Sequence, residues 1–390
     1  MMQRAQHTCR WGLVLAVLLT IAAPGAARGD GGKGATELEE SLPLFTHWRS
    51  YGLADGLPSR KITSVLVDGE DVWAGTDRGL ARLRNGSWQV FSTGDGLCYP
   101  VISSLALSEE TGDLWVGTLA GLSRFSAGRF DSFNQLDSGL INDVVYAVEV
   151  IGGDVWVATA AGLSVYKPRS GGWELFDHEN TVMHEPWCYG LCTAPGRVYV
   201  AVWGGGVVEH DLLKRTWKAY RDPDHEMEID LFRDDGLVHD VTSSVDHEGG
   251  VLWVGTYFGL SRHDGTSWRS FLEHDSGLPS NFINVVRAHG RWVWIGTDDG
   301  LAAFDGSRWL VYRRGEKGKE GGVAISGGQG GERSLSTKGE LAHNYVLWVA
   351  PAEDRVWVAT AAGLSLGTRH PTEEAGRRPG PSPGASPPGE

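Results

Sequence analysis

Cysteine is scarce in this sequence, which argues against a chain held together by disulfides. Of the four cysteines, Cys9 lies in an N-terminal segment that we expect to be removed. The remaining three, Cys98, Cys188 and Cys192, are an odd number, which is untypical of a disulfide framework. Cys188 and Cys192 are four residues apart on a predicted strand, a separation too long for a bridge. We interpret both as small buried apolar residues.

Long apolar runs are nearly absent as well, since the sequence has one, at residues 11–23. Arg4 and Arg10 come before this run and Gly25-Ala26-Ala27 follows it, which is the arrangement of a signal peptide with its cleavage site. The run is shorter than the about 20 residues needed to span a bilayer. We therefore predict a signal peptide at 1–27, cleavage near Ala27, export to the periplasm or the cell exterior, and no membrane span in the mature chain.

Basic residues are outnumbered. The chain has 35 Lys and Arg against 49 Asp and Glu, a formal net charge of −14. Because an acidic surface repels phosphate groups, nucleic acid and anionic membranes are poor partner candidates. Neutral or cationic partners are compatible with this charge, and so is the simpler interpretation that the charge maintains solubility.

Recognisable catalytic and metal-binding signatures are also lacking. We find no His-Glu-x-x-His motif and no series of the sialidase Asp-box kind. The stretch from His184 to Cys192 contains possible metal ligands, but their spacing matches no strong zinc pattern. We therefore predict no catalytic residues, no metal site and no cofactor, and we favour a protein that is not an enzyme.

Tryptophan and glycine, by contrast, are abundant, at 17 and 55 residues. Both belong to a repeated phrase: a branched apolar residue, Trp, then Val-Gly-Thr or a close variant, a turn, and Gly-Leu. Seven copies occur, at Val72–Thr76, Leu114–Thr118, Val155–Thr159, Val198–Val202, Leu252–Thr256, Val293–Thr297 and Val356–Thr360. Their aromatic positions are 42, 41, 43, 54, 41 and 63 residues apart. Short strands, Gly turns and a period of this length indicate radially repeated four-stranded sheets.

Each unit is predicted to have four strands, of which the last carries two aromatic residues three apart, such as Trp88 and Phe91. This spacing breaks strict alternation, so we expect a strand end or a bulge there. The large rings are interpreted as filling between adjacent blades. The seventh unit has no such pair, but Trp48 and Tyr51 stand unassigned before the first unit. We therefore predict an all-β fold: a seven-bladed β-propeller of four-stranded antiparallel blades, closed by an N-terminal strand that joins the last blade.

At this level of detail the sequence resembles the two-component regulator propeller repeat. The resemblance rests on Asp55–Ser59, Val72–Thr76 and Gly79-Leu80, and on their recurrence at Ser276–Ser280 and Trp294–Thr297, and it covers roughly residues 44–370. Members of this family use such propellers as extracytoplasmic sensor domains of hybrid histidine kinases, often tuned to glycans. The resemblance thus implies an exported, sensor-like binding protein, although the chain has no kinase and no DNA-binding domain.

The organisation predicted for the chain has five parts. A flexible linker at 28–43 follows the signal peptide, and the propeller occupies 44–370. Within it, the Gly-, Lys- and Ser-rich insertion at 313–340 is expected to be disordered, and so is the Pro- and Gly-rich tail at 371–390. The fourth unit departs from the repeat, with Val202 in the position of Thr.

Binding residues are expected on the loop face, which we define as the end carrying the blade-to-blade loops and the turns between second and third strands. Polar residues at equivalent positions before the inner strands are Arg60, Asp143, Asp240, Asn281 and Asn344. His184, Trp203 and Tyr257 are assigned to the same face. The alternative for the Asp and Asn residues is that they cap their loops by bonding to the backbone.

The favoured function is non-catalytic recognition of a glycan, a peptide or an extracytoplasmic protein on the loop face. One alternative is a lyase or hydrolase that uses His184, Glu185, Asp143 or Asp240 near the channel mouth. The other is a structural hub of an envelope complex, for which a large apolar patch on the outer strands or the bottom face would be evidence.

Overall fold

A computed structural model describes residues 42–224, 234–316, 319–328 and 331–371. The predicted signal peptide at 1–27 lies outside the described residues, as do the linker at 28–43 apart from its last two residues and the tail beyond residue 371. No helix in the described ranges is both long enough and apolar enough to cross a membrane.

Seven antiparallel sheets make up the fold, and the first strand in the chain belongs to the last of them. That strand is β1 (His47–Tyr51). Blades 1 to 3 follow in order, with the strands β2 (Ile62–Asp68), β3 (Asp71–Thr76), β4 (Gly79–Arg84), β5 (Ser87–Phe91), β6 (Ile102–Leu107), β7 (Leu114–Thr118), β8 (Gly121–Ser126), β9 (Arg129–Phe133), β10 (Val145–Ile151), β11 (Asp154–Thr159), β12 (Gly162–Lys167) and β13 (Gly172–Phe176). Two short 3-10 turns, Leu53–Asp55 and Thr93–Asp95, precede blades 1 and 2.

Blades 4 to 7 repeat this order, and blade 6 has two extra strands. Their strands are β14 (Cys188–Ala194), β15 (Arg197–Val202), β16 (Gly206–Asp211), β17 (Thr216–Tyr220), β18 (Thr242–Glu248), β19 (Val251–Thr256), β20 (Gly259–His263), β21 (Trp268–Phe271), β22 (Ile283–His289), β23 (Trp292–Thr297), β24 (Gly300–Phe304), β25 (Arg308–Arg313), β26 (Gly322–Gly327), β27 (Arg333–Ser336), β28 (Val346–Pro351), β29 (Arg355–Thr360) and β30 (Gly363–Thr368).

The predicted ring closure is confirmed. Strand β1 pairs with β30 in antiparallel register, with Trp48 opposite Gly367 and Tyr51 opposite Leu364. The Trp48 ring lies against Gly367, where an added Cβ would come within 2.8 Å of it. Because β1 completes the sheet of β28, β29 and β30, the last blade has the four strands of a regular unit.

The repeated aromatic residues pack between blades, as the sequence predicted. Trp73 on β3 contacts Phe125 on β8 of the next blade at 5.4 Å between ring centroids. The glycine two residues after the Trp also has a role in packing, because a Cβ on Gly75 would lie 2.6 Å from the Ile102 side chain of the next inner strand. Thus the repeated Trp fills the part of the blade-to-blade interface where the two sheets are far apart, and the repeated Gly lies where they are close together.

The repeated threonine holds the turn that follows it. Thr76 Oγ1 donates to the carbonyl of Gly79 at 2.7 Å and accepts from the amide of Arg78. The fourth unit has Val202 in this place, and a neighbouring blade supplies the missing hydroxyl: Thr242 Oγ1 lies within bonding distance of the carbonyls of Val202 and Gly206. The departure seen in the sequence is therefore compensated in the structure.

The prediction of disorder for 313–340 is corrected by the structure, which places β26 and β27 in this insertion as the fifth and sixth strands of blade 6. Val323 and Ile325, which alternate along β26, are buried against the edge of the blade. Alternation of this kind is what a strand buried on one face requires. Composition averaged over the insertion concealed it.

The insertion also covers the closing strand. The amide of Trp48 donates to the carbonyl of Lys338 at 2.7 Å, and the amide of Lys338 donates to the carbonyl of Thr46 at 2.8 Å. Ser50 Oγ donates to the carbonyl of Glu340. The outer edge of β1 is therefore paired rather than exposed, which removes an open sheet edge.

Candidate functional site

Every inner strand contains a β-bulge near its loop-face end. The register with the second strand shifts by one residue in all seven blades, as between Ile62 and Ser64 in β2. The residues left out of the ladders are Thr63, Ser103, Tyr146, Tyr189, Ser243, Asn284 and Leu347. A bulge redirects the side chain of its extra residue. Three of these side chains contact the next inner strand: Asn284 Nδ2 donates to the carbonyl of Val346 at 2.8 Å, Ser243 Oγ donates to the carbonyl of Ile283, and Tyr146 stacks on Tyr189.

These bulges were not predicted from the sequence. The aromatic pair of the fourth strand was predicted to mark a strand end or a bulge, but Trp88 and Phe91 lie in one continuous register and β5 ends at Phe91. The alternative of a strand end is therefore the correct one. A signal for the real bulges was available, because the first two apolar residues of inner strands such as β2, Ile62 and Val65, are three apart instead of two.

Five aromatic rings form a continuous row at the loop-face end, and we call them the aromatic arc: Tyr146, Tyr189, Trp203, Tyr257 and Phe282. Tyr146 stacks on Tyr189 at 4.2 Å between centroids, and Tyr189 stacks on Trp203 at 4.9 Å. Trp203 meets Tyr257 edge to face at 4.7 Å, and Tyr257 stacks on Phe282 at 3.8 Å. The arc joins the inner strands and turns of blades 3 to 6, so the structure brings the predicted site residues Trp203 and Tyr257 together.

The arc is partly open to solvent and uncharged. All five side chains are half-buried. Trp187, whose carbonyl accepts a hydrogen bond from the amide of Trp203 at 2.9 Å, is 45% exposed beside them. Burial and the hydroxyl of Tyr146 raise the pKa of Tyr189 to about 12, and burial also raises the pKa of Tyr257. Both phenols therefore stay protonated at neutral pH and can donate hydrogen bonds.

Four predicted site residues, Asp143, Asp240, Asn281 and Asn344, anchor the blade-to-blade loops. In each, a side-chain oxygen accepts from a backbone amide just after the preceding fourth strand. The donors are Gln135, Asp222, Glu273 and Arg314, at 2.7, 2.8, 2.7 and 2.7 Å. Asp240 also forms an ion pair with Arg221. The loop-capping alternative for these residues is thus confirmed.

The remaining predicted residues, Arg60 and His184, are exposed. Each lies in a blade-to-blade loop, and neither makes a hydrogen bond or ion pair with another described residue. The structure does not bring them together with the aromatic arc through any such contact.

Two of the cysteines and the serine of one Gly-x-Ser-x-Gly motif lie within strands. Cys188 and Cys192 are buried and unpaired, and burial raises the pKa of both thiols. Residues Gly363 to Gly367 have the spacing Gly-x-Ser-x-Gly, which marks a nucleophile only on a sharp strand-to-helix turn. Here Ser365 is buried within β30 and accepts a hydrogen bond from the amide of Ala342. Among the described residues, no three His, Cys, Asp or Glu side chains are grouped as metal ligands.

A second feature lies at the opposite end of the inner strands. A cavity of about 1010 Å³ is bordered by the later residues of β2, β6 and β28 and by the turns of blade 1 at Gly69-Glu70 and Asn85-Gly86. In an antiparallel blade these turns are at the end opposite the loop face. We call this space the channel cavity. Glu149 and Arg287, from β10 and β22, also line it.

Comparison with solved structures supports the architecture. No protein-family model and no curated protein matches the sequence. The extracellular domain of a protein described as the hybrid two-component system BT3049 from B. thetaiotaomicron is 14% identical, has a TM-score of 0.63, and is matched over 84% of this chain and 42% of that chain. The extracellular domain of a protein described as the one-component system BT4673 from the same organism is 17% identical, with a TM-score of 0.61 over 83% and 40%.

What these structures share with the chain is the propeller fold. At these identities the likeness carries no activity, and the chain spans about two fifths of the length of both domains. Virginiamycin B lyase from Staphylococcus aureus, solved with quinupristin in a catalytically inactive form, is also similar, with a TM-score of 0.58 and 8% identity over 82% of this chain. The same fold therefore occurs in extracellular domains and in an enzyme, and function has to be argued from the site.

Proposed function

We propose that this chain is an exported recognition protein that binds a glycan, a peptide or a protein partner on its loop face. The aromatic arc is the observation that carries the proposal. Its rings come from four successive blades and are held at 3.8–4.9 Å from one another. Side chains held in this way lose little further entropy when a ligand packs on them.

The chemistry of the arc favours neutral or cationic partners. Aromatic faces attract the apolar faces of sugars and side chains as well as cations, and phenol and indole groups add donors at the edges. The net charge of −14 acts against polyanions. We therefore place the partner over Trp203 and Tyr257, with Trp187 at the border.

The two alternatives have less support. The enzyme alternative relied on His184, Glu185, Asp143 or Asp240 near the channel mouth. Asp143 Oδ1 already accepts from the amide of Gln135, and the two oxygens of Asp240 accept from the amide of Asp222 and from Arg221. The hub alternative required a large apolar patch on the outer strands or the bottom face. On the outer strands the exposed apolar residues, Val90, Leu175 and Leu335, belong to three different blades.

The test is binding of the purified chain to glycan and peptide arrays, followed by titration of any hit with variants. We expect Trp203→Ala and Tyr257→Ala each to weaken binding by about tenfold or more, as central aromatic contacts usually do. The matched control is Tyr99→Ala, because Tyr99 is 40% exposed in the loop between blades 1 and 2 and lies outside the arc. Equal effects of all three variants would reject the arc as the binding surface.

Export is tested separately. The sequence predicts that the protein recovered outside the cytoplasm begins shortly after Ala27, which N-terminal sequencing can determine. Recovery of the intact N-terminus from the cytoplasm alone would reject this part of the proposal.

A further inference from the structure

Three ionisable groups lie at one level of the inner strands, and two of them, Glu149 and Arg287, line the channel cavity. Glu149, Asp246 and Arg287 occupy the fifth position of β10, β18 and β22, and the buried Cys192 occupies the same position in β14. Blades 1, 2 and 7 have Leu66, Ala106 and Ala350 there. The charges thus come from one side of the ring and the apolar wall from the other.

Two of the three charges have partners. Asp246 accepts hydrogen bonds from the amides of Ala288 and His247, at 2.8 and 2.9 Å. The guanidinium of Arg287 lies over the Trp348 ring at 4.1 Å and donates to the carbonyl of Val286. One carboxylate and one guanidinium offset each other in net charge.

Glu149 is the charge left over. It lines the cavity, and its carboxylate has no hydrogen bond or ion pair with any residue in the described ranges. Glu149 is half-buried, and a carboxylate that is partly withdrawn from water without a partner is costly to the folded state. Burial, strengthened by Asp246 and opposed by Arg287, raises the pKa of Glu149 to about 7.

We propose that the channel cavity binds a small organic cation, an ammonium group on an apolar body, with Glu149 as its counter-ion. The walls formed by Leu66, Ala106 and Val349 suit the apolar body, and about 1010 Å³ is ample room for a small molecule. Arg287 faces the carboxylate of Glu149 across the cavity lining, and the nearby Asp246 at the same level of the inner strands adds negative charge, which disfavours an anion. The rim carries Glu70, Glu109 and Arg355, so the entrance is also more acidic than basic.

This site would be separate from the loop face and would depend on pH in a defined direction. A bound ammonium stabilises the ionised carboxylate, so binding lowers the pKa of Glu149. Affinity is therefore highest above pH 7 and falls as the carboxyl takes up its proton below pH 7. The other titratable groups facing Glu149 are Asp246, Arg287 and Cys192, from the three blades that follow.

The experiment compares three probes of equal length, hexylamine, hexanol and hexanoate, by calorimetric or NMR titration of the full chain. At pH 8 we expect hexylamine to bind about tenfold tighter than either of the other two, and at pH 5.5 to lose about tenfold in affinity. Glu149→Gln should remove both the preference and the pH dependence. The matched control is Glu109→Gln at the rim, which should change the affinity by less than about threefold, as exposed charges do.

Three results would overturn the proposal: hexanol or hexanoate binding as tightly as hexylamine, no binding of hexylamine at millimolar concentration, or an unchanged affinity in Glu149→Gln. Circular dichroism checks that each variant is folded. A second variant, Ala350→Leu, narrows the cavity without altering a charge and should also weaken hexylamine binding. Trp203→Ala should leave hexylamine binding unchanged, which separates failure of this site from failure of the loop-face site.

Discussion

Blades 3 to 6 and blades 7, 1 and 2 have the same order of strands, but they differ at two positions of the inner strand, which we call the axial positions. These are the bulge residue and the fifth residue of the strand. At the bulges, blades 3 and 4 carry Tyr146 and Tyr189, which stack across the blade boundary, whereas blades 1 and 2 carry Thr63 and Ser103. At the other end, blades 3, 5 and 6 carry charged groups, while blades 7, 1 and 2 border the channel cavity with Leu66 and small side chains. Neither position belongs to the repeated Trp, Gly and Thr residues that pack the blades together, and the side chains at both positions differ between repeats.

The comparison separates residues that build the ring from residues that give it a site. The Trp, Gly and Thr of each repeat face a neighbouring blade or a turn, and a change there is compensated, as Thr242 compensates for Val202. The axial residues face the channel and show no sevenfold pattern. Function in this fold is therefore to be looked for where the repeat breaks down.

The largest expected effect concerns the charged side of the channel. A carboxyl whose pKa rises from 4.5 to about 7 costs the folded state about 3 kcal/mol once it is ionised. This cost is absent below pH 4.5 and grows as the pH rises to 7. We expect Glu149→Gln to match the wild type in urea unfolding near pH 4.5 and to be about 3 kcal/mol more stable at pH 8. A less stable variant at pH 8 would show that the carboxylate has a stabilising partner.

The next effect concerns the aromatic side. Tyr189 stacks on both Tyr146 and Trp203, and each such contact contributes about 0.5–1.5 kcal/mol beyond area burial. Tyr189→Ala should lower the free energy of unfolding by about 2 kcal/mol or more. Leu347→Ala, at the equivalent bulge of blade 7, should cost about half as much. Equal losses would mean that the arc adds nothing to ring stability.

A smaller effect distinguishes packed from open axial positions. Cys192 and Ala350 are equivalent in blades 4 and 7, but Cys192 is buried, whereas Ala350 lines the cavity. Cys192→Leu should destabilise by about 1–3 kcal/mol through overpacking. Ala350→Leu should be neutral or stabilise by about 1 kcal/mol by burying apolar surface. Thermal unfolding of the two variants measures both changes in stability. A destabilised Ala350→Leu would mean that the cavity is too narrow for the added atoms.

The smallest effect concerns the bulges themselves. The bulge residue Ser243 can donate its hydroxyl to the carbonyl of Gly255 or of Ile283, which lie 3.1 and 2.6 Å from its Oγ. Ser243→Ala should cost about 1 kcal/mol, the usual net contribution of such a hydrogen bond. Ser103→Ala, at the equivalent bulge of blade 2, is the control, because the Ser103 hydroxyl has no partner among the described residues. A larger loss for Ser103→Ala would contradict this assignment.

The features predicted from sequence were those that repeat with the period of the blades. Blade number, closure by Trp48 and Tyr51, and the burial of the Trp residues followed because each unit has the same neighbours. The side chains that face the channel could not be predicted in this way. The bulge shifts the register by one residue and so changes which side chains face the channel, and Glu149 and Arg287 are brought together from distant blades. Trp203 and Tyr257 were predicted as site residues, but their contacts with Tyr189 and Phe282 were not.

The pairing of β1 with β30 has a consequence for how the molecule is made. Strand β1 cannot join its own blade until β30, the last strand, has been synthesised, so the sheet of blade 7 can form only at the end. Contacts between His47 and Thr368 span almost the entire domain, and pairings so distant in sequence make folding slow. During this time the edge that β1 later covers is accessible to other chains. Assembly of the ring is therefore most vulnerable to aggregation just before its completion.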